Sequence, residues 1–223
     1  MPRTPKNNQS LADQAHQKLE ELVVTLELRP GSVWSEQSLS EVVKIGRTPV
    51  REAIKRLEAD RLIETVPRHG VRISQIDLYE QLQVVEFRTH LEKLISSCAA
   101  RRALPEERQQ LVTMALGFEV AVDQSDILVY LRTVFAANHF IAQCARNPFV
   151  GKAITPLFGL SRRFYYRYSA ELKNIADVSK LHAARARAVA SGDTDAAEHA
   201  AGELMAYIEG YTRAIFMRDV GRS

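Results

Sequence analysis

The stretch Gly46-Arg47-Thr48-Pro49-Val50-Arg51-Glu52-Ala53-Ile54-Lys55-Arg56-Leu57-Glu58 decides how the rest of the chain is read. Val50, Ala53, Ile54 and Leu57 recur at helical spacing and form one apolar stripe. Arg47, Arg51 and Lys55 lie off that stripe. Thr48 followed by Pro49 is a helix-start signal: a hydroxyl that can cap, then a ring that tolerates the first helical position. The spacing therefore predicts a short helix with a packed back and a cationic front. Upstream, Ser35 can cap a second short helix, buried through Leu39, Val42 and Val43. Lys44-Ile45-Gly46 is the connector, with Gly46 expected to supply backbone freedom. Two short helices joined by a Gly-containing turn fit a helix-turn-helix, whose second helix enters the major groove. Downstream, Leu62 to Val66 alternates like a strand, Pro67-Arg68-His69-Gly70 turns, and Val71-Arg72-Ile73 returns. That is a β-hairpin wing with a basic tip.

Working outward, Leu11 to Leu28 is amphipathic through Ala15, Leu19, Leu22, Val23 and Leu26. It is the expected first helix of the same domain, packed behind the reading helix. Pro30-Gly31 should end it, with Val33 and Trp34 leading into the helix-turn-helix. Residues 1–9 read as a disordered arm. After a linker at 76–78 the strand signals fade. Six helical segments follow, at roughly 77–102, 105–123, 126–145, 148–168, 173–191 and 194–217. They are separated at Leu104-Pro105, Asp123 to Asp126, Asn147-Pro148 and Ser191-Gly192-Asp193. The expected fold is mainly α: a winged helix-turn-helix with a small hairpin wing over 10–75, then an all-α antiparallel helical bundle over 79–218.

Composition sets bounds on function. The 223 residues, 46% of them hydrophobic, suffice for one large domain or two small ones. No run was expected to approach the length of a membrane helix. The polar start, Met1 to Ser10, lacks an apolar signal core, so a cytoplasmic chain with no membrane partner is expected. Cys98 and Cys144 fall in helical patterns without metal-type spacing and read as buried thiols of a reducing compartment. Net charge is only +3, but its distribution matters more. Arg47, Arg51, Lys55, Arg56, Arg61, Arg68 and Arg72 concentrate on the proposed reading surface, the electrostatic footprint of a phosphate backbone.

The residues Arg47-Thr48-Pro49-Val50-Arg51-Glu52-Ala53, then Leu57 to Ile63, then Arg68-His69-Gly70-Val71, resemble the winged-helix domain of GntR-family bacterial transcription regulators. Leu28-Arg29-Pro30-Gly31 resembles the family's turn before the helix-turn-helix. The family's usual glycine before Leu62 is Arg61 here, and its usual serine or threonine before Arg47 is Gly46. In the second half, Phe87-Arg88-Thr89-His90-Leu91-Glu92, Asn138-His139 with Arg146-Asn147-Pro148, and Leu181-His182 with Gly192-Asp193 resemble the FCD effector domain of the FadR subfamily. That resemblance implies a helical bundle around a small pocket that binds organic acids or related metabolites and often holds a divalent metal.

For DNA, the expected contacts are Gln37, Arg47, Thr48, Arg51, His69 and Gly70. Arginine offers a bidentate fork to guanine O6 and N7. The resemblance implies that Arg47 and Arg51 read or flank guanines, that Thr48 and Gln37 meet the backbone, and that His69 and Gly70 reach the minor groove. One reading helix covers one half-site, so a pseudo-palindromic double-stranded operator requires a homodimer. For an effector, Arg88, His139, His182 and Tyr165 are the candidates. Arg88 either pairs with an effector carboxylate or forms an internal bridge to Glu92. Of the family's four metal ligands, His139 and His182 match two. The aspartate position is Phe135, and the remaining histidine falls near Leu204. Neither side chain offers a lone pair, so a metal at His139 and His182 would occupy a degraded site. In Ser161-Arg162-Arg163-Phe164-Tyr165-Tyr166-Arg167-Tyr168 the aromatics read as core or pocket wall.

No nucleophile elbow, phosphate-cradling loop or Cys-x-x-Cys pair is present, so an enzyme is not expected. The expectation is a metabolite-responsive repressor whose small effector, a carboxylate, releases DNA. Two alternatives stand beside it: a DNA-binding protein whose bundle only dimerises, and a helical metalloprotein using His139 and His182.

Overall fold

The computed structural model describes residues 10–121, 127–169 and 175–220. The chain divides into two compact units that meet between Ile76 and Asp77. The arm at 1–9 and the whole break from Asp123 to Asp126 lie outside the described residues.

In the first unit, α1 (Leu11–Val24) starts on a capping box. The Ser10 hydroxyl accepts from the Asp13 N–H at 3.1 Å, while the Asp13 carboxylate accepts the Ser10 N–H at 3.3 Å. The helix stops four residues short of the expected Leu28. The Thr25 N–H and hydroxyl both bond back to the Glu21 carbonyl, and Leu26 turns left-handed at φ 61°. Leu28 is still buried, delivered to the core by the turn. Val33 and Trp34 are more than a lead-in: they form strand β1. With β2 (Ile63–Val66) and β3 (Gly70–Ile73) they make an antiparallel sheet in the order β1-β3-β2. Val71 stands opposite Trp34 on one side and Thr65 on the other. The wing is thus a three-stranded sheet, which anchors its hairpin better than two strands alone.

Helix α2 (Glu36–Val43) is capped by Ser35, whose hydroxyl accepts from the Ser38 N–H at 3.0 Å. Leu39 and Val43 are buried as expected, but Val42 is 44% exposed. The turn into α3 (Arg47–Ala59) is bent at Lys44, which adopts the left-handed conformation at φ 56°. Gly46 sits at φ −59° and is itself the N-cap, without a side-chain cap bond. The expected freedom of Gly46 is therefore unused, and Thr48 lies inside the first turn of α3 instead of capping it. Val50, Ala53, Ile54 and Leu57 are all buried, and α3 packs on α1. Arg61, where the related domains carry glycine, takes φ 60°.

The second unit is the bundle α4 (Leu78–Arg102), α5 (Pro105–Ala121), α6 (Ile127–Cys144), α7 (Pro148–Arg167), α8 (Ile175–Ser191) and α9 (Thr194–Val220). Helix α4 lies along α9, and α5 along α8. Asp77 caps α4, and Asn147, followed by Pro148, caps α7. Two apolar clusters fill the interior. One gathers Ile95, Leu111, Ile141, Ile154 and Phe158; the other gathers Val85, Phe118, Leu131, Leu204 and Met205. Between Val85 and Ile95 on α4 lie the buried charges Arg88 and Glu92. Cys98 and Cys144 are buried free thiols, and burial pushes the Cys144 thiol up to about 11. Against expectation, one helix among the described residues is long and apolar enough to cross a membrane: Ile127–Cys144, which is α6. Its Tyr130, Leu131, Ala137, Ile141 and Cys144 are buried in the bundle.

Candidate DNA-reading surface and ligand cavity

The winged unit places its candidate contacts on two elements and a turn. Arg47 and Arg51 stand one turn apart at the start of α3, and both are exposed. Each is already held. Arg51 forks onto Glu36, its Nε 3.1 Å and its Nη2 2.8 Å from Oε2. Arg47 donates from Nη2 to the Gln37 side-chain oxygen at 2.5 Å. Glu36 is held below the usual carboxylate range by the Arg51 hydrogen bonds, with Arg47 and Lys55 adding positive potential. The first turn of α2 therefore orients the guanidinium groups of α3 before any nucleic acid is present. Sequence periodicity does not show such a contact, which joins residues fifteen apart. At the wing tip His69 is exposed, and its N–H donates to Val66 O at 3.0 Å. Gly70 has φ 101°, and a Cβ there would lie 2.3 Å from the Trp34 carbonyl oxygen. Glycine at this position follows from both facts.

The bundle encloses a cavity that offers about 50 Å³ to the centres of water-sized molecules. That is room for a ligand of a few heavy atoms. Arg88, Tyr165 and His182, three of the four expected effector residues, line it together. The fourth, His139, does not. Its ring packs edge-on between Phe135 and Phe158, at 4.3 and 5.2 Å between centroids, and faces a surface groove near Arg146 and Pro148. Burial lowers the His139 pKa. His182 stacks on Phe118 with centroids 5.1 Å apart. Burial first, then the charge of Arg185, pushes its pKa down to about 3, so it is a neutral imidazole.

Behind the cavity lies a charged cluster whose key member the motifs did not mark. Arg185, one turn after His182 on α8, is 1% exposed. Its three nitrogens reach Ser96 Oγ at 2.8 Å, Asn138 Oδ1 at 3.0 Å and Glu92 Oε2 at 2.5 Å. The other Glu92 oxygen accepts from Arg88 Nη2 at 2.6 Å. The internal Arg88–Glu92 bridge and a place in the cavity wall, weighed as alternatives from sequence, thus hold at once. Burial raises the Glu92 pKa, but Arg185 and Arg88 outweigh it, and the carboxyl lies below its ordinary value. Arg88 Nε is buried with no hydrogen-bond partner among the described residues. A signal for Arg185 was available: an arginine on the helical face that also carries His182 and Val189.

The family's metal does not fit these residues. Phe135 and Leu204 offer no donor, Leu204 is sealed in the core, and His139 points away from the cavity that His182 lines. Among the described residues no group of three or more His, Cys, Asp or Glu could hold an ion.

A reading helix with a wing, followed by a helical bundle around a polar-ended cavity, defines a ligand-binding DNA-binding regulator. Residues 11–73 match the model for bacterial regulatory proteins of the gntR family, and residues 83–207 match the FCD domain. The chain belongs to the gntR family, in its FadR-like branch that carries an FCD domain. The transcriptional regulator Mce2R of Mycobacterium tuberculosis is 24% identical along the whole of both chains. A regulator from an unstable DNA locus of Streptomyces ambofaciens is 40% identical over 60 residues, 27% of this chain and 25% of that one. Among solved structures, Escherichia coli McbR/YncC superposes with a TM-score of 0.79 at 18% identity, over 93% of this chain and 99% of the other. A putative GntR regulator from Rhodococcus gives 0.68 at 15% identity, over 92% and 99%. These likenesses concern the fold. The chain is a transcriptional regulator with a GntR helix-turn-helix and an effector-binding FCD domain.

Proposed function

We propose that this regulator is a cytoplasmic repressor that binds a pseudo-palindromic operator as a homodimer and leaves it when a small carboxylate enters the bundle. Residues 10–75 form the DNA-binding domain, 76–78 the linker, and 79–218 the effector-binding and dimerisation domain. Arg47 and Arg51 read guanines, Gln37 and Thr48 meet the phosphate backbone, and His69 and Gly70 reach the minor groove. Arg88 takes the effector's charge, with Tyr165 and His182 beside it. His139 shapes the cavity from behind the Phe135–Phe158 wall.

One observation carries the effector half of this reading: a buried arginine, Arg88, lines the cavity and gives Nη2 to Glu92 as its one side-chain hydrogen bond among the described residues. A hydrogen bond from its guanidinium to a charged acceptor on a ligand contributes about 1.5–3 kcal/mol. The effector changes operator affinity only by as much as it prefers one of the protein's states over another.

The test begins with selection of bound sequences from random duplex DNA, followed by anisotropy titration of the selected site with and without organic acids. A selected site with two half-sites, weakened by an acid in the wild type but not in Arg88→Ala, supports the proposal. Uniform affinity for all duplexes across a range of salt overturns the DNA half. An unchanged acid response in Arg88→Ala overturns the role of Arg88.

A further inference from the structure

We propose that the buried trio Arg88–Glu92–Arg185 replaces a metal ion as the fixed cation of this effector site, and that the site selects a compact monocarboxylate with an apolar body. The proposal rests on the effector reading above and adds the ligand class and the means of anchoring it.

The trio carries two guanidinium charges against one carboxylate, and its members are 4%, 0% and 1% exposed. Its balance is one positive charge in a region closed to water. Arginine does not shed its proton at ordinary pH, so the excess has to be met by an anion or endured. The parts are fixed in different ways. Arg185 is tied on all three nitrogens by Ser96, Asn138 and Glu92, so it supplies potential and cannot swing toward a ligand. Glu92 has an oxygen committed to each arginine. Arg88 is the member with capacity to spare, and it is the one that lines the cavity.

The aromatic wall locates the anion. The Arg88 guanidinium lies 5.4 Å from the Phe158 ring centroid, and that of Arg162 lies 5.0 Å from the Phe135 centroid. Both rings pack against His139. Two cavity-lining guanidinium groups are thereby brought to one wall. The remaining lining mixes the aliphatic Leu131, Val134, Val178 and Ile208 with neutral polar groups, chiefly tyrosine rings and Ser161. A ligand that fits has one charged head and a carbon body of a few atoms. Both guanidinium groups share one wall, so a second carboxylate at the far end of the ligand would meet only neutral groups, which offset less of the desolvation cost of a buried charge. A divalent cation fares worse still. It would sit near the guanidinium groups of Arg88 and Arg162, with no acidic residue at the position of Phe135 to hold it.

The test uses the full-length wild type, exhaustively treated with EDTA, in calorimetric and thermal-shift titrations. The probes are butyrate, hexanoate, benzoate, benzamide and succinate, with and without added zinc. Expected is binding of at least one monocarboxylate, with benzamide or succinate roughly 10- to 100-fold weaker, as loss of a buried charge-assisted pair requires. The affinity should not change on adding zinc, and it should stay flat between about pH 6 and 9: the arginines stay charged, Glu92 stays ionised, His182 is held neutral, and burial raises the pKa values of the lining Tyr130, Tyr165 and Tyr207. Arg88→Gln should remove binding, and Arg88→Lys should restore part of it. Comparison of acid with amide in the wild type stands even if a variant fails to fold. Binding that vanishes in EDTA and returns with zinc overturns this inference and leaves the effector reading intact. So does preference for succinate or benzamide. If no acid shifts either the protein's melting or its grip on the selected operator, the effector reading itself fails, and this inference with it.

Discussion

Consider lowering the pH from 7.5 to 4.5 in the wild type and in His182→Gln. His182 is buried against Phe118, and its pKa is pushed down to about 3 by burial and by Arg185. In the unfolded chain the same imidazole titrates near 6.5, the ordinary value for histidine. Below that value the unfolded state binds a proton that the folded state refuses. Stability from this group is therefore whole above 6.5 and is lost as pH falls toward 3. At pH 4.5 the unfolded imidazole is about 99% protonated and the folded one only a few per cent. The loss is RT times the logarithm of the ratio of the neutral fractions, nearly all neutral when folded against about 1% when unfolded, which comes to about 2.5 kcal/mol. The result depends little on the folded value, because pH 4.5 lies well above it. His139 and Glu92 also have lowered values, but they are present in both proteins and cancel in the comparison. The assay is guanidinium unfolding followed by far-UV helicity, which is dominated by the bundle. The fluorescence of Trp34, the single tryptophan, reports the winged unit separately. The bundle of His182→Gln should lose about 2.5 kcal/mol less than wild type over this interval. Equal losses in the two proteins would refute the claim that His182 is held neutral.

Arg51→Ala should weaken operator binding by roughly 5- to 150-fold and relax base preference at one position of each half-site, measured by anisotropy on single-substituted operators. An equal loss on every sequence contradicts base reading. Glu36→Gln should tighten binding to random duplex several-fold and steepen the salt slope by about one, since Arg51 then meets phosphate with no carboxylate competing. An unchanged slope would show that the pair seen in the free protein has no bearing on DNA. Gly70→Ala puts a Cβ 2.3 Å from the Trp34 carbonyl at φ 101°. It should cost about 2 kcal/mol or more in the winged unit, visible as an earlier Trp34 transition with the bundle unaffected.

The winged half was legible because its signals are local. The stripe Val50, Ala53, Ile54 and Leu57, the Ser35 cap and the turn at Gly70 each act within a few residues. What escaped depends on partners farther along the chain. Val33 and Trp34 read as a connector because two residues carry no period. They become a strand only when Val71 and Arg72 arrive beside them. Gly46 drew the turn's strain by residue type, yet the backbone bends at Lys44. Lys44 bears the left-handed penalty because its N–H and that of Ile45 close the C-terminus of α2. The contact of Arg51 with Glu36 crosses from one helix to the next, so no stripe on either helix announces it.

In the bundle, periodicity told which faces turn inward but not what they meet there. Arg88 and Glu92 are four apart on α4, so their bridge was foreseeable. Arg185 lies 93 residues from Glu92, and only the packing of α8 beside α4 brings them together. A buried arginine also runs against the ordinary rule that such residues stay outside unless paired, so the residue type of Arg185 opposes the signal of the buried face it shares with His182 and Val189. The same packing explains how His139 and His182 part. They occupy matching motif positions, but Phe135 and Phe158 close around one imidazole while Phe118 stacks on the other. Where an aspartate would draw a histidine toward a shared ion, a phenylalanine instead offers a ring edge. The imidazole then settles into an aromatic wedge. One substitution of that kind reassigns its neighbours, and it leaves the guanidinium groups as the remaining strong cations of the cavity.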